Sequence, residues 1–270
     1  MQKKERYGFD DLVEIMKTLR SPEGCPWDRE QTHESLKQYF VEETYEVLEA
    51  IDEKSPEKLC EELGDVLLQV IFHAVIADEN GQFTIYDVID GISKKMIHRH
   101  QHVFGKAHAE TAEDVLNLWD KIKKKEKGTK TQTDIMKDIP PILPALMRSY
   151  KVQEKAAKVG FDWDNVEDAW KKVEEELEEF HDVYRSGDMD KTEEELGDLL
   201  FAIVNVSRFL NIQPELALTK TINKFIKRFE YIETKSYENG KKLTDMTLEE
   251  MDALWDEAKE LDRRGEKNED

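Results

Sequence analysis

Glycine and proline are scarce in this chain: its 270 residues include 12 of the first and 7 of the second. A sheet-rich fold with many tight turns needs more of both. Cysteine is rarer still. Cys25 and Cys60 form no CxxC pair and are too few for a disulfide framework. A reducing, cytoplasmic setting is the simplest expectation. The segment MQKKERYGFDDL has no apolar core of the kind a signal peptide carries. No apolar run approaches the length of a bilayer span. GxxxxGK[ST], GxGxxG and GxSxG are all missing. Positive charge is also in deficit. Lys and Arg total 40 against 61 Asp and Glu, a formal net charge of −21. Such a surface repels phosphate backbones and disfavours a nucleic-acid binder. A small phosphate ligand stays open, because a divalent cation inverts the local field.

What is present is charge laid out at helical spacing. Charged residues make up 37% of the chain and hydrophobic residues 39%. The apolar positions recur every three to four residues, the mark of helices with solvated outer faces. Four or five helices are expected in each half. They fall at about 8–20, 34–53, 56–79, 84–103 and 112–127, then 142–158, 165–186, 190–211, 214–234 and 247–262. Ser55-Pro56, Thr84, Thr111 and Gln213-Pro214 read as starts, and Asn80-Gly81 as a stop.

The chain repeats itself. One offset of 133 residues takes Glu43 to Glu176, Glu46 to Glu179, Glu62 to Glu195 and Asp65 to Asp198. Chance matches in an acid-rich chain would scatter. With small slips the likeness extends to Trp27-Asp28 and Trp163-Asp164, to Lys95/Arg99 and Lys224/Arg228, and to Trp119 and Trp255. The expected division is an N-terminal domain at 1–122, a polar, Pro-ended linker at 123–144, and a C-terminal domain at 145–270.

Residues three apart on a helix share a face. Glu43 with Glu46, and Glu62 with Asp65, are therefore side-by-side pairs. The helix continuing from Asp65, VLLQVIFHAVI, is apolar nearly all round, so its acidic first turns sit beside a core. Two such helices packed together bring four carboxylates into one place, where they repel unless a cation sits among them. Hard oxygen donors suit Mg²⁺. A single ExxE pair is usually solvated surface; two pairs at one separation, repeated twice, reverse that weighting. Lys224 and Arg228, four apart, could neutralise phosphoryl charge, as could Lys95 and Arg99, and the same spacing also fits a solvated face. Trp163 and Trp255 could stack on a base or complete a core. In HRHQH only His98 and His102 share a helical face, so zinc is disfavoured. His73 reads as a satisfied core residue.

These motifs resemble one family. Glu42-Glu43-x-x-Glu46 with Glu62-x-x-Asp65, and Glu175-Glu176-x-x-Glu179 with Glu195-x-x-Asp198, look like the metal motif of the MazG nucleoside triphosphate pyrophosphohydrolases. The segments CPWDREQTHESLKQYFVEETYEVLEAI, RHQHVFG and KVGFDW are similar to it as well, and the likeness covers nearly the whole chain in the two-domain form. The resemblance implies an all-α fold of two tandem helical-bundle domains assembled as a homodimer. It implies hydrolysis of standard and non-standard nucleoside triphosphates to monophosphate and pyrophosphate with Mg²⁺, Mn²⁺ being a possible substitute. It makes the second half the main catalytic unit. It casts Glu176, Glu179, Glu195 and Asp198 as metal ligands, Glu175 and Glu194 as catalytic support, and Lys224, Arg228 and Trp255 as the nucleotide lining. The first-half set is unbroken at the matching positions. The rival expectation is a metal-stabilised nucleotide-sensing or partner-binding scaffold without turnover.

Overall fold

The computed structural model describes residues 4–127 and 131–265. Among them every regular element is a helix: α1 (Phe9–Arg20), α2 (Pro26–Glu30), α3 (Lys37–Asp52), α4 (Pro56–Glu79), α5 (Ile85–Arg99), α6 (Gln101–Phe104), α7 (Ala112–Lys127), α8 (Gln132–Lys137), α9 (Ala145–Ala157), α10 (Val166–Val183), α11 (Met189–Phe209), α12 (Pro214–Glu238) and α13 (Leu248–Gly265), with a 3₁₀ turn at Leu243–Asp245. The chain separates into two compact units, Met1–Glu126 and Lys127–Asp270. Among the described residues, no helix is long and apolar enough to cross a membrane.

Local chemistry sets the helix ends. Ser55 accepts from the Lys58 backbone N–H at 3.2 Å, with Pro56 in the first turn. Thr84 and Thr111 accept from the N–H of Asp87 and Asp114 at 3.3 and 3.1 Å, and each aspartate reaches back to its threonine. Gln213 makes no side-chain cap; Pro214 alone opens α12. Three elements escaped the sequence pattern. The short helix α2 begins at the Pro26 of CPWD. The stretch read as a linker carries α8, capped by Thr131, while residues 128–130 lie outside the described residues. The helix expected at 84–103 breaks at His100, whose φ and ψ are −97° and 53°. His98 and His102 therefore do not lie on one continuous helix, as the periodicity had implied.

In the first unit α3 packs on α4, and α1 on α4. Val13, Met16, Leu36, Ile71, Phe72, Ala74, Val75, Ile76 and Ile85 form the core. Each large side chain buried there contributes about 1.5–3 kcal/mol. The second unit repeats the scheme, with α10 on α11, α9 on α11, and α12 on α13 and α9. Its core of Ala169, Val173, Ala202 and Val206 is smaller. The reason is visible on the helices: Leu196, Leu200, Phe201 and Ile203 of α11 are exposed, as are Leu218, Ile222, Phe225 and Phe229 along α12. In the first unit Leu63 and Leu67 are exposed too, so apart from Glu62 the buried residues of α4 begin at Gln69.

Matching turns link the paired helices. Gly187 (φ 82°) lies before α11, and Lys54 (φ 55°) lies at the equivalent point before α4. Both are left-handed, a conformation natural to glycine and costly to lysine.

Candidate metal and nucleotide site

Two acidic clusters stand where the paired helices meet. In the second unit, Glu176 and Glu179 of α10 and Glu195 of α11 bring one carboxylate oxygen each within 4.8 Å of the others. In the first unit, Glu43 of α3 with Glu62 and Asp65 of α4 do the same. Glu176 and Glu62 are the sheltered members, 6% and 9% exposed. The fourth acid of each set stands outside its triplet. Glu46 is exposed but hydrogen-bonds to Glu62. Asp198, a turn along α11 with a shorter side chain, is exposed.

The electrostatics show strain between like charges. Burial, then the charges of Glu176 and Glu195, hold the Glu179 carboxyl above its ordinary value. Burial and the charges of Asp65, Glu46 and Glu62 do the same to Glu43. Glu62 is raised by burial and by the charge and hydrogen bond of Glu46. Acids that resist ionising because of one another are relieved by a cation between them. Every donor is a carboxylate oxygen, which favours a hard divalent ion over a soft one. The residues fit a metal.

Lys172 is a feature that sequence reasoning missed. Its ammonium lies 2.6 Å from Glu175 and 2.7 Å from Glu176, and these two bonds raise its pKa strongly. The i, i+3 and i, i+4 spacing in KKVEEE was the available signal. Glu194 is exposed one residue before Glu195.

The basic residues form a separate group. Arg228 of α12 bonds Asp262 at 2.8 Å and lies 5.5 Å from the Trp255 ring centre. Phe225 adds a ring contact to Trp255 at 5.0 Å. Lys224 is exposed on the same helix. Within the unit α12 packs on α13 and α9, and the contacts described for Arg228 and Trp255 do not reach α10 or α11. In the first unit Arg99 bonds Glu126 at 2.6 Å and lowers that carboxyl's pKa, while Lys95 is exposed. His73 is half-buried and shares a 2.8 Å Nδ1–Nδ1 hydrogen bond with His33. His100 stacks edge-on against Trp119 at 4.8 Å.

Duplicated helical hairpins, each carrying an oxygen-only acidic triplet that could hold a metal ion, define an all-α protein of two similar units. The model of the MazG nucleotide pyrophosphohydrolase domain matches residues 31–104 and again 165–232, taking in both acidic sets, and the chain belongs to this family. It is 50% identical over 251 residues to the nucleoside triphosphate pyrophosphohydrolase/pyrophosphatase MazG of Thermotoga maritima, covering 93% of this chain and 95% of that protein. It is 45% identical over 254 residues to the nucleoside triphosphate pyrophosphohydrolase of Escherichia coli, covering 93% and 97%. It is 53% identical over 257 residues to the uncharacterized protein YabN of Bacillus subtilis, of which it spans 52%.

Proposed function

We infer that this chain is a Mg²⁺-dependent nucleoside triphosphate pyrophosphohydrolase of the cytoplasm, releasing nucleoside monophosphate and pyrophosphate. The observation that carries the reading is the second-unit triplet, three carboxylate oxygens within 4.8 Å on a hairpin that lies inside the matched family domain. Glu176, Glu179 and Glu195, with Asp198 beside them, hold the ion. Mg²⁺, or Mn²⁺ in its place, supplies charge neutralisation and water activation when bound. Glu175 orients the attacking water and takes its proton, with Glu194 in support. Lys224 and Arg228 stabilise charge on the pyrophosphate as it departs, and Trp255 lines the nucleotide site. Glu43, Glu46, Glu62 and Asp65 form a matching metal site in the first unit, flanked by Lys95 and Arg99.

The chain works as a homodimer. The exposed apolar stripe Leu218, Ile222, Phe225 and Phe229 on α12 and the exposed leucines of α11 support this. The substrate range includes standard and non-standard bases, on ribose or deoxyribose.

Asp198→Ala and Asp65→Ala, made singly and assayed for pyrophosphate release on a triphosphate panel with Mg²⁺, test the assignment. The expected result is a loss of at least 100-fold for Asp198→Ala, on the scale of removing one electrostatic stabiliser, and a smaller effect for Asp65→Ala. Full turnover in the double variant would end the metal reading. A parent chain that binds nucleotide and releases no pyrophosphate would instead favour a sensing scaffold.

A further inference from the structure

His33 and His73 stand outside both acidic triplets. Their Nδ1 atoms are 2.8 Å apart, the length of one hydrogen bond. The rings are nearly parallel, 11° between planes and 5.1 Å between centres. Phe40 of α3 lies 6.0 Å from the His73 ring. His33 belongs to the turn that leads into α3, just before Leu36, which is 1% exposed in the core. His73 lies in α4 between the buried Phe72 and Ala74. The pair therefore ties the root of α3 to α4.

The second unit makes the same contact without ionisable groups. At the 133-residue offset His33 becomes Val166 and His73 becomes Val206. Val206 is in that unit's core and Val166 packs against it. Three residues on, Leu36 and Ala169 are each 1% exposed, so the register holds. A contact that two valines complete has no need of imidazoles for packing alone.

Imidazoles add a count of protons. In an Nδ1–Nδ1 hydrogen bond one ring donates and the other accepts, so one Nδ1 carries a proton and the other is bare. A first added proton goes to the bare Nε2 of the donating ring and strengthens the bond. A second must go to the accepting Nδ1. It sets two N–H groups and two positive charges face to face, and the bond is lost.

The surroundings offer no relief. On α1, Lys17 and Arg20 are held by Asp78 and Glu79 at 3.0 and 2.7 Å. On α5, Tyr86 is bonded to Asp10 and Asp87 to Thr84. Glu34 and Lys37, near His33 in the chain, are exposed. Burial, then the charge of His33, holds the His73 imidazole below its ordinary value of 6.5. As pH falls from there the unfolded chain takes up protons first, so stability is present above that value and is lost below it.

We propose that His33 and His73 form an acid-released clasp in the first unit: sharing one proton they hold the Thr32–Phe40 segment to α4, and a second proton frees it. Release loosens the root of α3, which carries Glu43, from the helix that carries Glu62 and Asp65.

The test is amide hydrogen exchange of the full, metal-free chain at pH 7 and 5.5, corrected for the intrinsic pH dependence of exchange. One refused proton raises the opening constant about tenfold per pH unit below 6.5. Protection of residues 33–40 should therefore fall about tenfold in the parent. It should hold within twofold in the double variant His33→Val with His73→Val, which carries the second unit's residues. Glu43 and Glu62 are common to both chains, so their titration cancels in the comparison. A parent that keeps its protection, or a folded variant that loses as much, overturns the clasp. Imidazole ¹⁵N spectra of the parent decide the matter even if the variant folds poorly. At pH 5.5 the closed pair should retain one neutral ring. Two fully protonated rings with residues 33–40 still protected would refute it.

Discussion

Glu176→Gln removes one negative charge from the second triplet and changes the side chain's volume hardly at all. Glu176 is 6% exposed, so an amide there is still sheltered, and Lys172 keeps its 2.6 Å bond to Glu175. The oxygens of the triplet lie within 4.8 Å of one another, and a cation at their centre is then about 2.8 Å from each. At the dielectric of water, a divalent charge attracts one carboxylate across that gap by about 3 kcal/mol, and by more where water is excluded. Losing that attraction corresponds to roughly 100-fold weaker metal binding. The assay is pyrophosphate release as a function of Mg²⁺ concentration, with calorimetric titration of Mg²⁺ and Mn²⁺ alongside. The half-saturating Mg²⁺ concentration should rise about 100-fold, with the melting temperature little changed. Glu178→Gln, an exposed acid on the opposite face of α10, should leave both readings alone. A Glu176→Gln chain whose metal requirement stays within threefold of the parent's would refute the reasoning, because the ion would then sit elsewhere.

The pH dependence of stability has a definite sign. Glu43, Glu62 and Glu179 hold protons more tightly in the folded chain than their ordinary value of 4.5. As pH rises from that value through the raised ones, the unfolded chain ionises first and stability falls. Burial lowers the His73 pKa and works the other way near pH 6, so the comparison is made against the triple Gln variant. Between pH 5 and 7 the metal-free parent should lose melting temperature relative to that variant, and Mg²⁺ at pH 7 should restore it. Lys54→Gly should stabilise the first unit by about 0.5–1 kcal/mol, the left-handed cost less glycine's entropy. Gly187→Ala should cost the second unit about 1 kcal/mol. Denaturant midpoints of the two variants check both signs. Ile226→Asp, on the exposed face of α12, should turn a dimer into a monomer by analytical ultracentrifugation, and an unchanged sedimentation coefficient would count against that interface.

Much of the helical layout can be read directly from local spacing. Ser55, Thr84 and Thr111 cap helices because their side-chain oxygens reach the third N–H onward, an interaction confined to four residues. The break at His100 was hidden, since the residues on both sides keep helical periodicity. The short helix α8 was hidden too, because its six residues carry no apolar stripe to read.

By itself the sequence determined the all-helical class, the duplication and the pairing of acids on single helices. All three follow from a period of 3.6 residues and a constant offset along the chain. Only the tertiary structure decided which acids converge: Glu176, Glu179 and Glu195 in one unit, but Glu43, Glu62 and Asp65 in the other. It also decided that Lys172 bridges Glu175 and Glu176, that Gln153 keeps an unmatched oxygen beside a cavity, and that leucines of α11 meet solvent. The reason is physical: spacing fixes which side chains share a face of one helix, whereas the meeting of two faces depends on how the helices pack and on what remains to cover them.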